Sequence, residues 1–384
     1  MIVGIDATNI KTGGGLTHLS MILKKQNLPK FKNLKIIVWS NKKTLKYINS
    51  MKYIKKISVN IWKPHFVFRL LWHIFFLKRN AKKQKCDILF FPGGTFFGKN
   101  FLYVTLSQNL LPFFWNQIKK YIGTFFFIKL ILLRYFQIKT FSNSAGLIFL
   151  DNYAKKIVTS NLKKKINFKI IPHGVNKLFF DILPKQKSIY FYKKKNNFNI
   201  VCTSTIDLYK HQWNVIKAIY FLKKKTNFNL KLHIVGDVAK PAEKIFFKYL
   251  KKYDPNQKWT KYYKYVSQKK LSNIYSKSNI AIFPSSCENL PNILIEKMAA
   301  GLPVACSKNK PMPQILGKYG SYFDPENYKS IMKATHNLIM SRHKRISACA
   351  YNKSKAKKYS WKISSRETFK FLKKILIINN QHVS

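Results

Sequence analysis

Short apolar runs recur along this chain, separated by longer lysine-rich stretches in which apolar positions return every three or four residues. Residues 1–5, 35–40, 57–61, 87–91, 103–106 and 146–150 read as strands in the first half, and 198–202, 232–235, 280–283 and 304–306 in the second. Strands alternating with helical stretches are the pattern of α/β sheets. At 384 residues the chain suits two such domains. The polar, lysine-rich segment 181–197 reads as the linker between a first domain over 1–180 and a second over 198–358, with C-terminal helices from 359 to 384.

One stretch, residues 283–307, combines several signals. The apolar run at 280–283 stops at Pro284-Ser285-Ser286, a turn signature. Pro291 suits the first position of a helix, and Gly301 followed by Pro303 is the expected stop. Leu294, Ile295, Met298 and Ala299 make an apolar side, whereas Asn292, Glu296 and Ala300 share another stripe. A helix N-terminus at the carboxyl end of a strand offers N–H groups and a partial positive charge to a phosphate, and carboxylates beside it accept hydrogen bonds from hydroxyls. A sugar nucleotide needs both. The spacing is equally served by Glu288 as a dipole partner of the helix and Glu296 as a solvated residue.

The ordered pattern FPS-x2-EN-x-P-x4-E-x-MA-x-G-x-PV, with Glu288-x7-Glu296 inside it, resembles the signature of the family-4 retaining glycosyltransferases. The resemblance implies two Rossmann-like doubly wound α/β domains facing a cleft, the architecture called GT-B, with the last helix crossing back to the first domain. It implies that Glu288 touches the transferred sugar, Glu296 the ribose, and that Asn289, Leu290 and Pro291 line the donor site. In such enzymes an Arg and a Lys five positions apart clamp the donor diphosphate; Lys210 matches the Lys, and Thr205 stands at the Arg position. Gly236-Asp237 matches a strand-end pair near the nucleotide. On the acceptor side, the glycine loop before the first helix pattern carries Gly14 and Gly15, and Gly93 and Gly94 close a later strand. Gln108 stands where many relatives have His, and His173 where Asn is common, at the cleft rim or in a structural role. Residues 317–323 resemble a late second-domain hairpin.

The resemblance implies hexose transfer from a nucleoside diphosphate sugar to a glycan or lipid-linked acceptor of cell-surface polysaccharide or lipopolysaccharide. The rival class is a glycosyltransferase-like binding protein that has lost activity with its Arg and His. There is no D-x-D, Walker or H-E-x-x-H motif, so no metal and no cofactor is expected.

Charge changes the picture in one respect. The chain has 72 Lys and Arg, of which six are Arg, against 13 acidic residues, a net charge of +59. The lysines are spread through nearly every block of ten, which is not the arginine-rich focused footprint of a specific nucleic-acid binder. Such a field attracts anionic donors and anionic lipid headgroups, so a membrane surface is a credible partner. Residues 66–77, which include Arg69 and His73, are too few to span a bilayer. Residues 121–136, YIGTFFFIKLILLRYF, read either as core of the first domain, the reading preferred here, or as an interfacial element. Five scattered cysteines without a C-x-x-C pair and a start lacking a secretory signal lead to the expectation of a cytoplasmic protein, peripheral on the inner face of the membrane.

Overall fold

A computed structural model describes residues 1–29, 31, 33–60, 65–98, 101–192 and 196–381. Seven parallel strands, β1 (Ile2–Asp6), β2 (Lys35–Ser40), β3 (Ile54–Ser58), β4 (Ile88–Phe91), β5 (Tyr103–Leu106), β6 (Gly146–Phe149) and β7 (Phe168–Ile170), make one sheet in the order β3-β2-β1-β4-β5-β6-β7. Six more, β8 (Phe198–Thr203), β9 (Leu230–Val235), β10 (Thr260–Tyr263), β11 (Ile280–Phe283), β12 (Val304–Ser307) and β13 (Ser321–Phe323), make a second in the order β10-β9-β8-β11-β12-β13. Central strands such as β4, β8, β11 and β12 are buried along nearly their whole length, as parallel sheets covered on both faces require. Both sheets are Rossmann-like, and in each the strand order reverses once, between β1 and β4 and between β8 and β11. Ligands of such sheets sit beyond the carboxyl ends of the strands at that reversal.

The chain divides into two compact units, Met1–Phe113 with Ile128–Gly174 and Tyr359–Ser384, and Phe114–Phe127 with Val175–Lys358. This partition differs from the expected break at residue 180. Residues 114–127 group with the second unit, and 175–197 do too. The expected linker is packed: Ile189 and Tyr192 are buried in the second unit's core against Phe198 and its neighbours, with residues 193–195 outside the described set. In the first unit the helix Trp361–Gln381 is tied in by Ser365 Oγ, which donates to the Ile22 carbonyl at 2.7 Å.

Several local expectations are corrected. The third strand runs Ile54–Ser58 rather than 57–61, because Ile54 to Ser58 pair in register with Ile36 to Ser40 and leave lysines 55 and 56 on a sheet edge. Residues 321–323 pair parallel to β12, so 317–323 is no hairpin. The glycines at 13–15 are the first turn of the helix Gly13–Ile22 and not a loop before it. Pro291 occupies the cap position one residue before the helix Asn292–Ala299.

Residues 121–136 are not mostly core. The helix Phe125–Ser142 buries Leu130, Gln137, Thr140 and Phe141, while Phe125, Ile128, Leu132 and Tyr135 are exposed, with Lys129 and Lys139 on the same stripe. Their i, i+3, i+7, i+10 spacing makes one continuous apolar face. Among the described residues no helix is long and apolar enough to cross a membrane.

Candidate active site

The carboxyl end of β8 leads into residues 204–211, and the carboxyl end of β11 into residues 284–291. These two loops flank the strand reversal of the second sheet. They are stitched together by main-chain and side-chain bonds: Ser286 N donates to the Tyr209 carbonyl at 2.8 Å, and the Ser286 hydroxyl lies 3.0 Å from His211 Nε2. Residues 114–127 brace the same loops. Ser286 Oγ donates to Gln117 Oε1 at 2.9 Å, Tyr121 OH to Asp207 Oδ1 at 2.8 Å, and Lys120 pairs with Glu326 at 2.6 Å.

Across the reversal, Lys210 Nζ forms an ion pair with Glu288 Oε1. The two side chains are 10% and 13% exposed, sheltered yet open to solvent at the site. Burial alone would lower the Lys210 pKa, but the Glu288 carboxylate outweighs it and the ammonium is held protonated. The N–H groups of Glu288 and Leu290 have no partner among the described residues, and Asn289, Leu290 and Pro291 are buried behind Glu288 at the helix start.

Glu296 lies in the second turn of that helix, half-buried. No described group donates a hydrogen bond to its carboxylate. Burial raises its pKa to about 7, opposed only in part by Lys297. An acid held in this way is suited to accepting hydroxyl donors that a ligand brings.

The remaining residues expected on the donor side lie around the same strand ends. Thr205 is exposed, and its carbonyl accepts from Gln212 Nε2 at 3.0 Å. Gly236 has φ +148°, and a Cβ there would lie 2.0 Å from the Ser204 carbonyl oxygen, so only glycine lets β9 end against this loop. Asp237, exposed beside it, accepts from Ile206 N through its carbonyl at 2.8 Å.

The residues expected on the acceptor side belong to the first unit, His173 included. Gly14 is exposed and Gly15 half-buried in the opening helical turn, and a Cβ on Gly15 would lie 3.6 Å from Gln108 Oε1. Asn9 Nδ2 donates to the Gly93 carbonyl at 3.2 Å, and Gly94, at φ +72°, sits against the Leu106 carbonyl. These five gather at the carboxyl ends of β1, β4 and β5. His173 does not join them. It is 2% exposed, stacked between His18 at 4.6 Å and Trp361 at 5.3 Å, where the C-terminal helix begins.

Sequence reasoning passed over Gln117, Tyr121, Asp207 and Lys297. For Lys297 a signal existed: a lysine amid the apolar positions 294, 295, 298 and 299. It is wholly buried, and its ammonium donates to the Thr203 carbonyl at 3.0 Å.

Comparison with known proteins is consistent with this architecture. The O-antigen chain mannosyltransferase B of Escherichia coli is 27% identical over 110 residues, 29% of this chain and 29% of that protein. The chain spans less than a third of the length of the curated relatives it matches. A sucrose-phosphate synthase from Thermosynechococcus elongatus superposes with TM-score 0.76 at 12% identity, over 98% of this chain and 100% of that one. WaaG, a glycosyltransferase involved in lipopolysaccharide biosynthesis, does so with TM-score 0.73 at 12% identity, over 97% and 99%. At such identities the likeness is one of fold, that of the GT-B glycosyltransferases. Residues 185–356, within the second unit, match the family model described as Glycosyl transferases group 1.

Proposed function

We propose that the protein is a retaining glycosyltransferase that moves a hexose from a nucleoside diphosphate sugar to a cell-surface polysaccharide or lipopolysaccharide acceptor. The observation that carries the reading is the Lys210–Glu288 pair astride the β8/β11 reversal, with the Glu296 carboxyl, which accepts from no described group, in the adjoining helix. Its mechanism follows from charge. As the anomeric carbon–oxygen bond breaks, its electron pair leaves on the diphosphate, which gains negative charge. The Lys210 ammonium and the N–H groups of Glu288 and Leu290 are complementary to that charge in place of a metal. The acceptor oxygen attacks from the same face and its proton passes to the departing diphosphate. Glu288 orients the hexose, and Glu296 accepts from the ribose hydroxyls.

The decisive experiment is a transfer assay with purified protein against UDP-, GDP- and dTDP-sugars, with EDTA as a control. Glu288→Ala is expected to lower kcat by about 10²–10³-fold. Glu296→Ala is expected to weaken donor binding about tenfold. EDTA leaves the rate unchanged. Donor affinity and turnover unaltered in both variants would sink the assignment, and nucleotide-sugar binding without transfer would favour a binding protein instead.

The reading includes work at an anionic membrane surface. It is supported by the apolar stripe Phe125, Ile128, Leu132 and Tyr135 with Lys129 and Lys139 beside it. Ile128→Asp with Leu132→Asp should release the protein from phosphatidylglycerol vesicles that the unaltered chain binds at low salt. Equal binding by both would remove the membrane from the proposal.

A further inference from the structure

Charge around the two loops is nearly all matched. Lys210 is paired with Glu288, Lys120 with Glu326, and Lys308 with Asp324 at 3.2 Å. Lys297 is different. It is wholly buried, and no carboxylate lies within ion-pair distance of it among the described residues. Its ammonium carries three donors, of which one goes to the Thr203 carbonyl at the very end of β8. It also lies 5.0 Å from the centre of the Phe283 ring, the last residue of β11, and Lys210 Nζ lies 5.6 Å from the same centre. Two ammonium groups thus share one aromatic ring at the strand reversal, one paired and one not.

A buried, unpaired cation is costly, and an alanine or methionine would fill the same apolar stripe at less cost. What an unpaired charge adds at this place is positive potential. Lys210 and Glu288 together are neutral, and Glu296 and Asp207 can only subtract. A nucleoside diphosphate brings several negative charges to the loops, and Lys297 offsets the carboxylate charge that would otherwise repel them.

We propose that Lys297 is a positioning residue of the donor site, supplying the positive charge that offsets the carboxylates there and lets a nucleoside diphosphate settle over the ends of β8 and β11. It acts through space and through the Thr203 carbonyl that it anchors, not by touching the ligand. This inference rests on the donor-site reading above.

The proposal has a pH signature. Burial lowers the Lys297 pKa to about 8, with Cys202 on β8, Glu296 on its own helix and Cys306 on β12 opposing the shift and Lys210 reinforcing it. The other groups facing it do not change charge above pH 7.5 in the same range: Cys202 is raised to about 11, Cys306 is raised by burial, Lys210 is held protonated, and Glu296, at about 7, is already mostly ionised. Diphosphate affinity should therefore fall as Lys297 loses its proton.

Calorimetric titration with UDP and GDP at pH 7.5 and 8.5, a range over which the bases stay largely neutral, and with uridine and guanosine as uncharged controls, tests this. The unaltered protein is expected to lose about threefold in diphosphate affinity between the two pH values and almost nothing for the nucleosides. Lys297→Met, of similar volume, should bind UDP or GDP about tenfold more weakly at pH 7.5 and show no further loss at 8.5. Lys297→Arg, which stays charged, should keep its affinity at both. Lys297→Met binding as tightly as the unaltered chain would overturn the proposal. So would Lys297→Arg losing affinity in parallel with it, a comparison that stands even where the methionine variant does not fold. An unaltered protein that binds neither diphosphate would overturn the donor-site reading itself, and this inference with it.

Discussion

The two strand reversals of this molecule are built alike and furnished differently. At the end of β1 stands Asp6, 2% exposed, whose carboxylate has every acceptor occupied. Thr8 N and Thr8 Oγ1 donate to Oδ1 at 2.9 and 2.6 Å, Trp72 Nε1 donates to Oδ2 at 2.8 Å, and His73 Nε2 lies 3.2 Å from it. Phe97 N donates to the other His73 nitrogen at 3.3 Å, so both ring nitrogens are used. Burial pushes the Asp6 carboxyl up, but His73 and the Thr8 bonds outweigh it and leave the pKa at about 2. Beyond β8 and β11 the acids are left wanting: Glu288 shares one lysine, and Glu296 accepts from no described group. A satisfied carboxylate fixes backbone; an unsatisfied one keeps its capacity for a ligand. The difference separates a structural hub from the candidate binding site at the strand reversals of two similar sheets.

The sharpest way to break that distinction is at the hub. Asp6→Asn keeps the shape but turns an NH2 toward the Trp72 and His73 donors. Stranding those buried groups should cost roughly 3–5 kcal/mol of stability. Urea unfolding of the variant, followed by Trp fluorescence, should show that loss. Nucleotide affinity of the fraction still folded should be unchanged, and a large affinity loss with stability intact would mean that Asp6 meets ligand.

Glu296 should behave in the opposite sense. Its folded pKa of about 7 lies above its ordinary value of 4.5, so the folded state holds the proton more tightly than the unfolded chain. Stability from that proton is fully present below pH 4.5 and is lost as pH rises through 7. Glu296→Gln, which cannot ionise, should therefore unfold roughly 1–3 kcal/mol later than the unaltered protein at pH 8 and no later at pH 4.5. Donor binding should fall at the same time. A variant that is less stable at pH 8 would show that Glu296 is a structural residue like Asp6.

The sequence yields the sheets and the second site more readily than the hub. Parallel strands buried on both faces are continuous apolar runs, so β2, β5 and β11 are legible to the residue. The edge strand β10, Thr260–Tyr263, reads TKYY with a solvated face and shows no such run. Glu288, Glu296 and Lys210 emerge because short-range order in a motif carries them. Asp6, Trp72 and His73 are joined across 66 residues or more, through a π-helical turn at Trp72–Leu77 that no local pattern encodes. Nor does local composition say which unit an apolar stretch packs against. Residues 114–127 lie between segments of the first unit in sequence and yet brace the loops of the second through Gln117 and Tyr121.

A smaller effect separates the units by acid. His18, in the first helix, is 2% exposed and stacks on His173, which stacks in turn on Trp361. Burial, reinforced by His173, holds the His18 pKa well below 6.5. A depressed histidine pKa gives stability that is fully present above the unfolded value and is lost as pH falls below it, because the unfolded chain then takes up a proton that the fold refuses. Each such histidine costs about 1.4 kcal/mol per pH unit once below that value. The first unit should therefore weaken between pH 7 and pH 5.5 by about 1 kcal/mol more in the unaltered protein than in His18→Phe, which keeps a ring in the stack and cannot charge. In the second unit burial and the nearby Lys120 ammonium depress His211 to about 4, opposed only in part by the Glu326 carboxylate 3.9 Å away, so that unit weakens in acid as well. Hydrogen exchange at the two pH values should accordingly show His18→Phe sparing β1 and the C-terminal helix from acid while β8 and β11 open as in the unaltered protein, and equal acid sensitivity of β1 in the two proteins would mean that the stacked pair is not what the first unit loses in acid.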